Sequence, residues 1–263
     1  MKKNMNPQTY ILVHGAWHAA WCWERVAPIL KDRGHRVIVP DLPGHGNDKT
    51  PFQIINLSTY VDRISELVLS STQPVILVGH SMAGVIISQI AENIPEKISR
   101  LVYVAAFIPM NNESLVMQAR KSRHAGVSTE MQINESANEI ELSKSGRVRD
   151  LFFNSCDIDF AQRGMELLQK EPFRPFIDTI HITNERFGSV RKTYIECMQD
   201  EAIRPEDQKR MYEQTNCEII TLENADHSPF YSAHEEMAQL LENNNLSMSS
   251  HPEEKHVLSR SMP

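Results

Sequence analysis

The chain has 263 residues, with 34 acidic against 27 basic side chains, a formal net charge of −7, and 41% hydrophobic and 23% charged residues. This composition fits a soluble globular chain of one large domain or two small ones, rather than a disordered one. No basic run is present, so nucleic acid is not expected as a partner, because phosphate contacts need clustered Lys and Arg.

The first residues, MKKNMNPQTY, carry two lysines but no apolar signal core, and no window approaches 18 unbroken apolar residues. Neither a targeting segment nor a membrane span is expected, and no membrane partner. Cys22, Cys156, Cys197 and Cys217 lie far apart, form no CxxC pair and have no metal-ligand spacing. A reduced, cytoplasmic setting is therefore expected.

Strand-like apolar runs recur along the chain: YILV (10–13), VIV (37–39), VILV (75–78), LVYVAAF (101–107), TYIEC (193–197) and EIITL (218–222). Several lack alternation, as in parallel strands buried on both faces. Helical patterns fall between them. WERVAPILKDRG (23–34) stops at Gly34, and LSTYVDRISELVLS (57–70) places Leu57, Val61, Ile64 and Leu67/Val68 on one face. Residues 82–94, 205–214 (opening at Pro205) and 230–242 also read as helices. Strands alternating with helices predict a mostly parallel α/β sheet of about six strands flanked by helices.

The alternation breaks between Ile108 and about Ser189, where helical patterns continue without a convincing strand. The expectation is a core domain from residues 8–108 and 189–243, with 109–188 inserted as a helical cap. Phe152, Phe153, Phe160, Met165, Leu167, Leu168, Phe173 and Phe176 in this segment serve either to cover a pocket or to pack the cap. Residues 244–263 are polar and aperiodic and read as a disordered tail.

The stretch VILVGHSMAGVII (75–87) places Ser81 between a buried strand and an apolar helix. That context suits a nucleophile elbow. A serine hydroxyl is a weak nucleophile, and a sharp strand-to-helix turn exposes it at the carboxyl end of the sheet, beside a helix N-terminus. A plain helix N-cap would use the same residue type, so distant loops must decide. Such a serine needs a base and an acid. His227 in ENADHSPF follows the last strand, and Asp200 in MQDEAIRPE follows the strand before it. The order Ser81, Asp200, His227 matches the nucleophile, acid and base order of this architecture.

Glu201 competes with Asp200 for the role of acid. Asp226 is expected to brace its loop, His80 to point away from the base position, and His124, His181, His234, His251 and His256 to lie at the surface. The segment LVHGAWHAAWCW (12–23) supplies small residues after the first strand, so the N–H groups of Ala16 and Met82 are the expected oxyanion donors. His14 reads as a support for this loop. Trp17, Trp21 and Trp23 read as pocket walls or core packing, with packing favoured for the last two.

Together HGAWHAAWCW, DLPGHG (41–46), GHSMAG, LVYVAAFIP (101–109), QDEAIRPEDQ and DHSPF resemble the α/β-hydrolase superfamily over roughly residues 8–243. Within it, the sequence is most similar to the methylesterase/hydroxynitrile lyase group, which includes plant methyl salicylate and methyl jasmonate esterases. The resemblance implies a serine esterase without metal or organic cofactor, with Ser81, Asp200 and His227 as the triad and Ala16 and Met82 as the oxyanion hole. Lyases of the group carry a threonine after the histidine of the oxyanion loop and a lysine after the catalytic histidine. Gly15 and Ser228 stand there in this chain, so a leaving cyanide would find no ammonium.

The expected function is hydrolysis of a small, largely apolar ester. Thioester or lactone hydrolysis and a biosynthetic lyase or cyclase step are alternatives with the same triad, and a non-enzymatic receptor is a third class. The expected partner is the small-molecule ester substrate; the sequence leaves the oligomeric state open, a homodimer included. In GHSMAG, Ala83 stands where the elbow pattern has glycine. One added methyl is expected to leave the turn intact.

Overall fold

The computed structural model describes residues 7–243, so the predicted tail and both His251 and His256 lie outside the described residues. In chain order the strands are β1 (Thr9–Val13), β2 (Arg36–Ile38), β3 (Val75–His80), β4 (Ile98–Val104), β5 (Met131–Asn134), β6 (Glu139–Leu142), β7 (Glu171–Pro172), β8 (Lys192–Cys197) and β9 (Glu218–Leu222). The helices are α1 (Val26–Asp32), α2 (Leu57–Leu69), α3 (Ala83–Asn93), α4 (Leu115–Ala119), α5 (Gly146–Phe152), α6 (Ile158–Leu167), α7 (Arg174–Ile177), α8 (Pro205–Tyr212), α9 (Pro229–Ser232) and α10 (His234–Asn243).

A six-stranded sheet runs in the order β2-β1-β3-β4-β8-β9 with every pair parallel. The predicted α/β architecture is therefore present. β3 and β8 are buried along their whole length; for this reason the VILV run of β3 is apolar without alternation, whereas β8 (KTYIEC) buries Lys192, Thr193 and Glu196 among its apolar residues. The order reverses direction at β1 and β3, the place where open α/β sheets form ligand crevices beyond the carboxyl ends of their strands. Both Ser81 and the loop after β1 lie at that place.

Local chemistry explains the helix ends. α2 opens on a reciprocal cap, in which the Asn56 side chain accepts from the Thr59 N–H and the Thr59 hydroxyl accepts from the Asn56 N–H. The predicted strand 101–107 stops at Val104 because Ala105 turns to a φ of +42°. The predicted last helix breaks in two at Ala233.

The expectation of a purely helical segment between β4 and β8 is corrected. β5, β6 and β7 form a three-stranded antiparallel sheet there, in the order β5-β6-β7. Its strands MQIN and EIEL are short, the first mostly exposed and the second with only Ile140 fully buried, so they lack the apolar runs that marked the main sheet. The hairpin turns at Asn138, which adopts a φ of +56°. The Asn138 side chain also donates to the Phe52 and Ile55 carbonyls, tying the hairpin to the segment before α2. No helix among the described residues is long and apolar enough to cross a membrane.

Candidate active site

Ser81 follows β3 and precedes α3 with a φ of +53°, the left-handed strain expected of an elbow and not of a plain helix cap. Its N–H donates to the Val104 carbonyl, and its carbonyl accepts from Gly84 and Phe107. The tight contacts fall on either side of Ala83. A Cβ on Gly79 would meet the Ala83 carbonyl oxygen at 2.9 Å, and one on Gly84 would meet the Phe107 carbonyl oxygen at 2.1 Å. Ala83 itself is accommodated in the buried core, so the methyl is tolerated there and excluded one residue later.

Three side chains from three loops meet at this turn. The Ser81 hydroxyl lies 3.1 Å from His227 Nε2, and His227 Nδ1 lies 2.8 Å from Asp200 Oδ2. A carboxylate accepts only, so the Nδ1–H donates to Asp200, leaving Nε2 free to accept the serine proton. Asp200 Oδ1 accepts the N–H groups of Ala202 and Ile203, both at 2.8 Å, and Oδ2 accepts from Gln208 Nε2 at 3.3 Å. Burial raises the Asp200 carboxyl above its ordinary value, while the charge and hydrogen bond of His227 and the two N–H donors pull it back. Glu201, the competing acid, is exposed and paired with Arg204 at 2.7 Å.

The remaining histidines are sorted by their partners. Burial holds His14 well below its ordinary value. Its Nε2 accepts from the Leu42 N–H and its Nδ1–H donates to the Gly15 carbonyl, so it supports the loop as expected. His80, also held low by burial, donates from Nε2 to the His227 carbonyl at 2.8 Å. It therefore braces the His227 backbone. Burial pushes His18 down to about 3, and its Nδ1–H donates to the Ala16 carbonyl. For His45, burial works downward but the charge and hydrogen bond of Glu171 prevail and raise it. Asp226 accepts from the Ser155 and Ser228 N–H groups and from the Ser232 hydroxyl, the predicted loop brace. His124 and His181 are exposed as expected, and His234 is half-buried.

Ala16 and Met82 line the same cavity as Ser81 and His227. Neither of their N–H groups donates to another group among the described residues. Gly15 is required for this approach, since a Cβ there would meet both His80 Nδ1 and Ser81 Cβ at 2.8 Å. A threonine at this position, as in the lyases of the group, has no room.

The cavity has a volume of about 420 Å³ and a mainly apolar wall. Of the eight apolar side chains singled out in residues 109–188, Phe152 and Phe176 line it. Phe153 packs on Gly164 and Phe160 on Tyr231 instead. Trp17 is a wall, Trp23 is fully buried packing, and Trp21 stacks on Tyr231. Sequence reasoning missed Leu115, Val127, Met131 and Met211 as walls, because their patterns are those of ordinary amphipathic segments. It also missed Gln208 and Glu171, buried polar residues in stretches that read as exposed.

The alpha/beta hydrolase family profile matches residues 10–240. The chain belongs to that family. Among curated relatives, it is 34% identical over 88% of its length to "Putative methylesterase 11, chloroplastic" of Arabidopsis thaliana, of which it spans 62%. It is 31% identical over 85% of its length to methyl jasmonate esterase 1 of Vitis vinifera, covering 91% of that protein. Among solved structures, polyneuridine aldehyde esterase superposes with a TM-score of 0.81 at 25% identity, over 91% of this chain and all of that one (100%). A pyrethroid hydrolase from Sphingobium faniae JZ-2 shares the fold, with a TM-score of 0.83 at 23% identity over 94% of this chain and 100% of that one. The carboxylic ester hydrolase class expected from the sequence agrees with these relatives.

Proposed function

We propose that this hydrolase cleaves a small, largely apolar carboxylic ester through an acyl-enzyme. The observation that carries the reading is the hydrogen-bond relay from Ser81 through His227 to Asp200 at the wall of an apolar cavity. His227 Nε2 takes the Ser81 proton as Oγ attacks the ester carbonyl. The N–H groups of Ala16 and Met82 hold the oxyanion, and Asp200 steadies the imidazolium. His227 then gives its proton to the leaving alcohol. Water, activated by the same nitrogen, attacks the acyl carbon and releases the acid.

The substrate class follows from size and polarity. A cavity of about 420 Å³ falls within the range of small-molecule sites, about 300–1,000 Å³. Relatives named as methylesterases favour a small alcohol. Replacing Ser81 by Ala is expected to reduce turnover of an aryl ester by about 10³-fold or more, with the circular dichroism spectrum unchanged. Wild-type turnover in a folded Ser81→Ala variant would remove the proposal.

A further inference from the structure

Trp17 follows the proposed oxyanion donor and adopts a φ of +61°. A bulky residue takes this left-handed form only where its surroundings hold it there. What holds it comes from the segment between β4 and β8. The Trp17 N–H donates to Glu171 Oε2 at 2.8 Å, and the Trp17 carbonyl accepts from the Gln169 N–H at 3.0 Å. The peptides on both sides of one strained residue thus end on one short stretch, 169–171.

Glu171 is fully buried and collects three donors from distant parts of the chain. Besides the Trp17 N–H, Oε2 accepts from His45 Nε2 at 2.9 Å and Oε1 from the Tyr60 hydroxyl at 2.9 Å. Its backbone is fixed by pairing of β7 with β6. Gln169 extends the same grip, accepting from the Gly46 N–H at 3.1 Å through its side chain.

The two peptides around Ala16 are clamped in sequence. In the Gly15–Ala16 peptide the carbonyl is held by His14, leaving the N–H free to face the cavity. In the Ala16–Trp17 peptide the carbonyl is held by His18 and the N–H by Glu171. Without that bond the Ala16–Trp17 peptide can turn about ψ of Ala16 and φ of Trp17, which relaxes the left-handed strain at Trp17 and removes one of the constraints that fix Ala16, and with it the Ala16 N–H, against the cavity.

We propose that Glu171 is a positioning residue for the oxyanion site: its carboxylate locks Trp17 in the left-handed form and so aims the Ala16 N–H at the reacting carbonyl. The proposal rests on the reading of Ala16 as an oxyanion donor. It makes residues 169–171 part of the machinery that sets rate, beyond any part the segment plays in shaping the pocket. A misaimed donor weakens the transition state, where the oxyanion exists, more than the bound ester.

The test measures kcat and KM for a p-nitrophenyl ester with the full chain and its variants, with folding followed by circular dichroism. Glu171→Leu, which removes both acceptor oxygens at similar volume, is expected to lower kcat by about tenfold or more with KM within about threefold. Glu171→Gln keeps an amide oxygen able to accept the Trp17 N–H and is expected to stay within about threefold of wild type. In a Trp17→Gly background the backbone reaches a positive φ without help, so adding Glu171→Leu there is expected to change kcat by less than about threefold. Equal losses in both backgrounds, or a KM that rises as kcat falls, overturn the proposal. If Glu171→Leu does not fold, Glu171→Gln decides: a loss of kcat of about tenfold with the acceptor retained overturns the proposal. Ser81→Ala in the same assay separates the two readings: if it stays active the esterase mechanism fails, and if it alone is inactive only the clamp fails.

Discussion

Replacing Asp200 by Asn tests the site where its geometry is most constrained. Oδ1 accepts two backbone N–H groups at 2.8 Å, so the asparagine must keep its carbonyl oxygen there. Its NH₂ group then replaces Oδ2 and faces two donors, His227 Nδ1 at 2.8 Å and Gln208 Nε2 at 3.3 Å. His227 can meet a donor only by giving up the proton on Nδ1, which moves the proton to Nε2. The nitrogen 3.1 Å from the Ser81 hydroxyl then has no lone pair for the serine proton. A triad with the wrong tautomer is expected to lose about 10³–10⁴ in kcat, or about 4–5.5 kcal/mol at 1.36 kcal/mol per tenfold. Stability is expected to change less, because relief of a buried charge offsets the clash with the Gln208 amide. Hydrolysis of a p-nitrophenyl ester measured beside a thermal melt gives both numbers. A folded Asp200→Asn variant within tenfold of wild type would refute the tautomer argument. Glu201→Gln, on an exposed side chain paired with Arg204, is the matched control and is expected to stay within about twofold.

At the elbow, Gly84→Ala forces a methyl to 2.1 Å from the Phe107 carbonyl oxygen and is expected to cost about 1–3 kcal/mol or more, read as a melting-temperature drop of several degrees. Ala83→Gly is expected to stay within about 1 kcal/mol, and the reverse ranking would refute the packing account. The His45–Glu171 pair gives a pH signature. His45 is raised above its ordinary 6.5, so its contribution to stability is complete below pH 6.5 and is lost as pH rises through the raised value. The gap in melting temperature between wild type and His45→Asn is therefore expected to be widest below pH 6.5 and to narrow above it. A gap that widens with pH would overturn this reading.

Some of this molecule is written locally and some is not. The unbroken apolar run VILV marks β3, because a strand buried on both faces has no polar side to show. The elbow was legible for a similar reason: strand, serine and helix are contiguous, and the left-handed turn at Ser81 is a property of a few neighbouring residues. The loops carrying Asp200 and His227 were legible from their places after β8 and β9, since the carboxyl ends of parallel strands share one edge. The short hairpin of β5 and β6 was not. Its strands are stabilised by pairing and by Asn138 reaching the Phe52 and Ile55 carbonyls, neither of which leaves an apolar period in the sequence.

The sequence by itself determined the sheet and singled out Ser81, Asp200 and His227 as the candidate site, because local apolar patterning and chain order carry that information. Only the tertiary structure decided which groups hold them in place. Gln208 under Asp200, His80 against the His227 carbonyl and Glu171 beneath Trp17 are polar residues whose partners lie elsewhere in the chain. A buried polar side chain is fixed by whichever donors and acceptors folding brings within about 3 Å, and sequence spacing does not encode that distance.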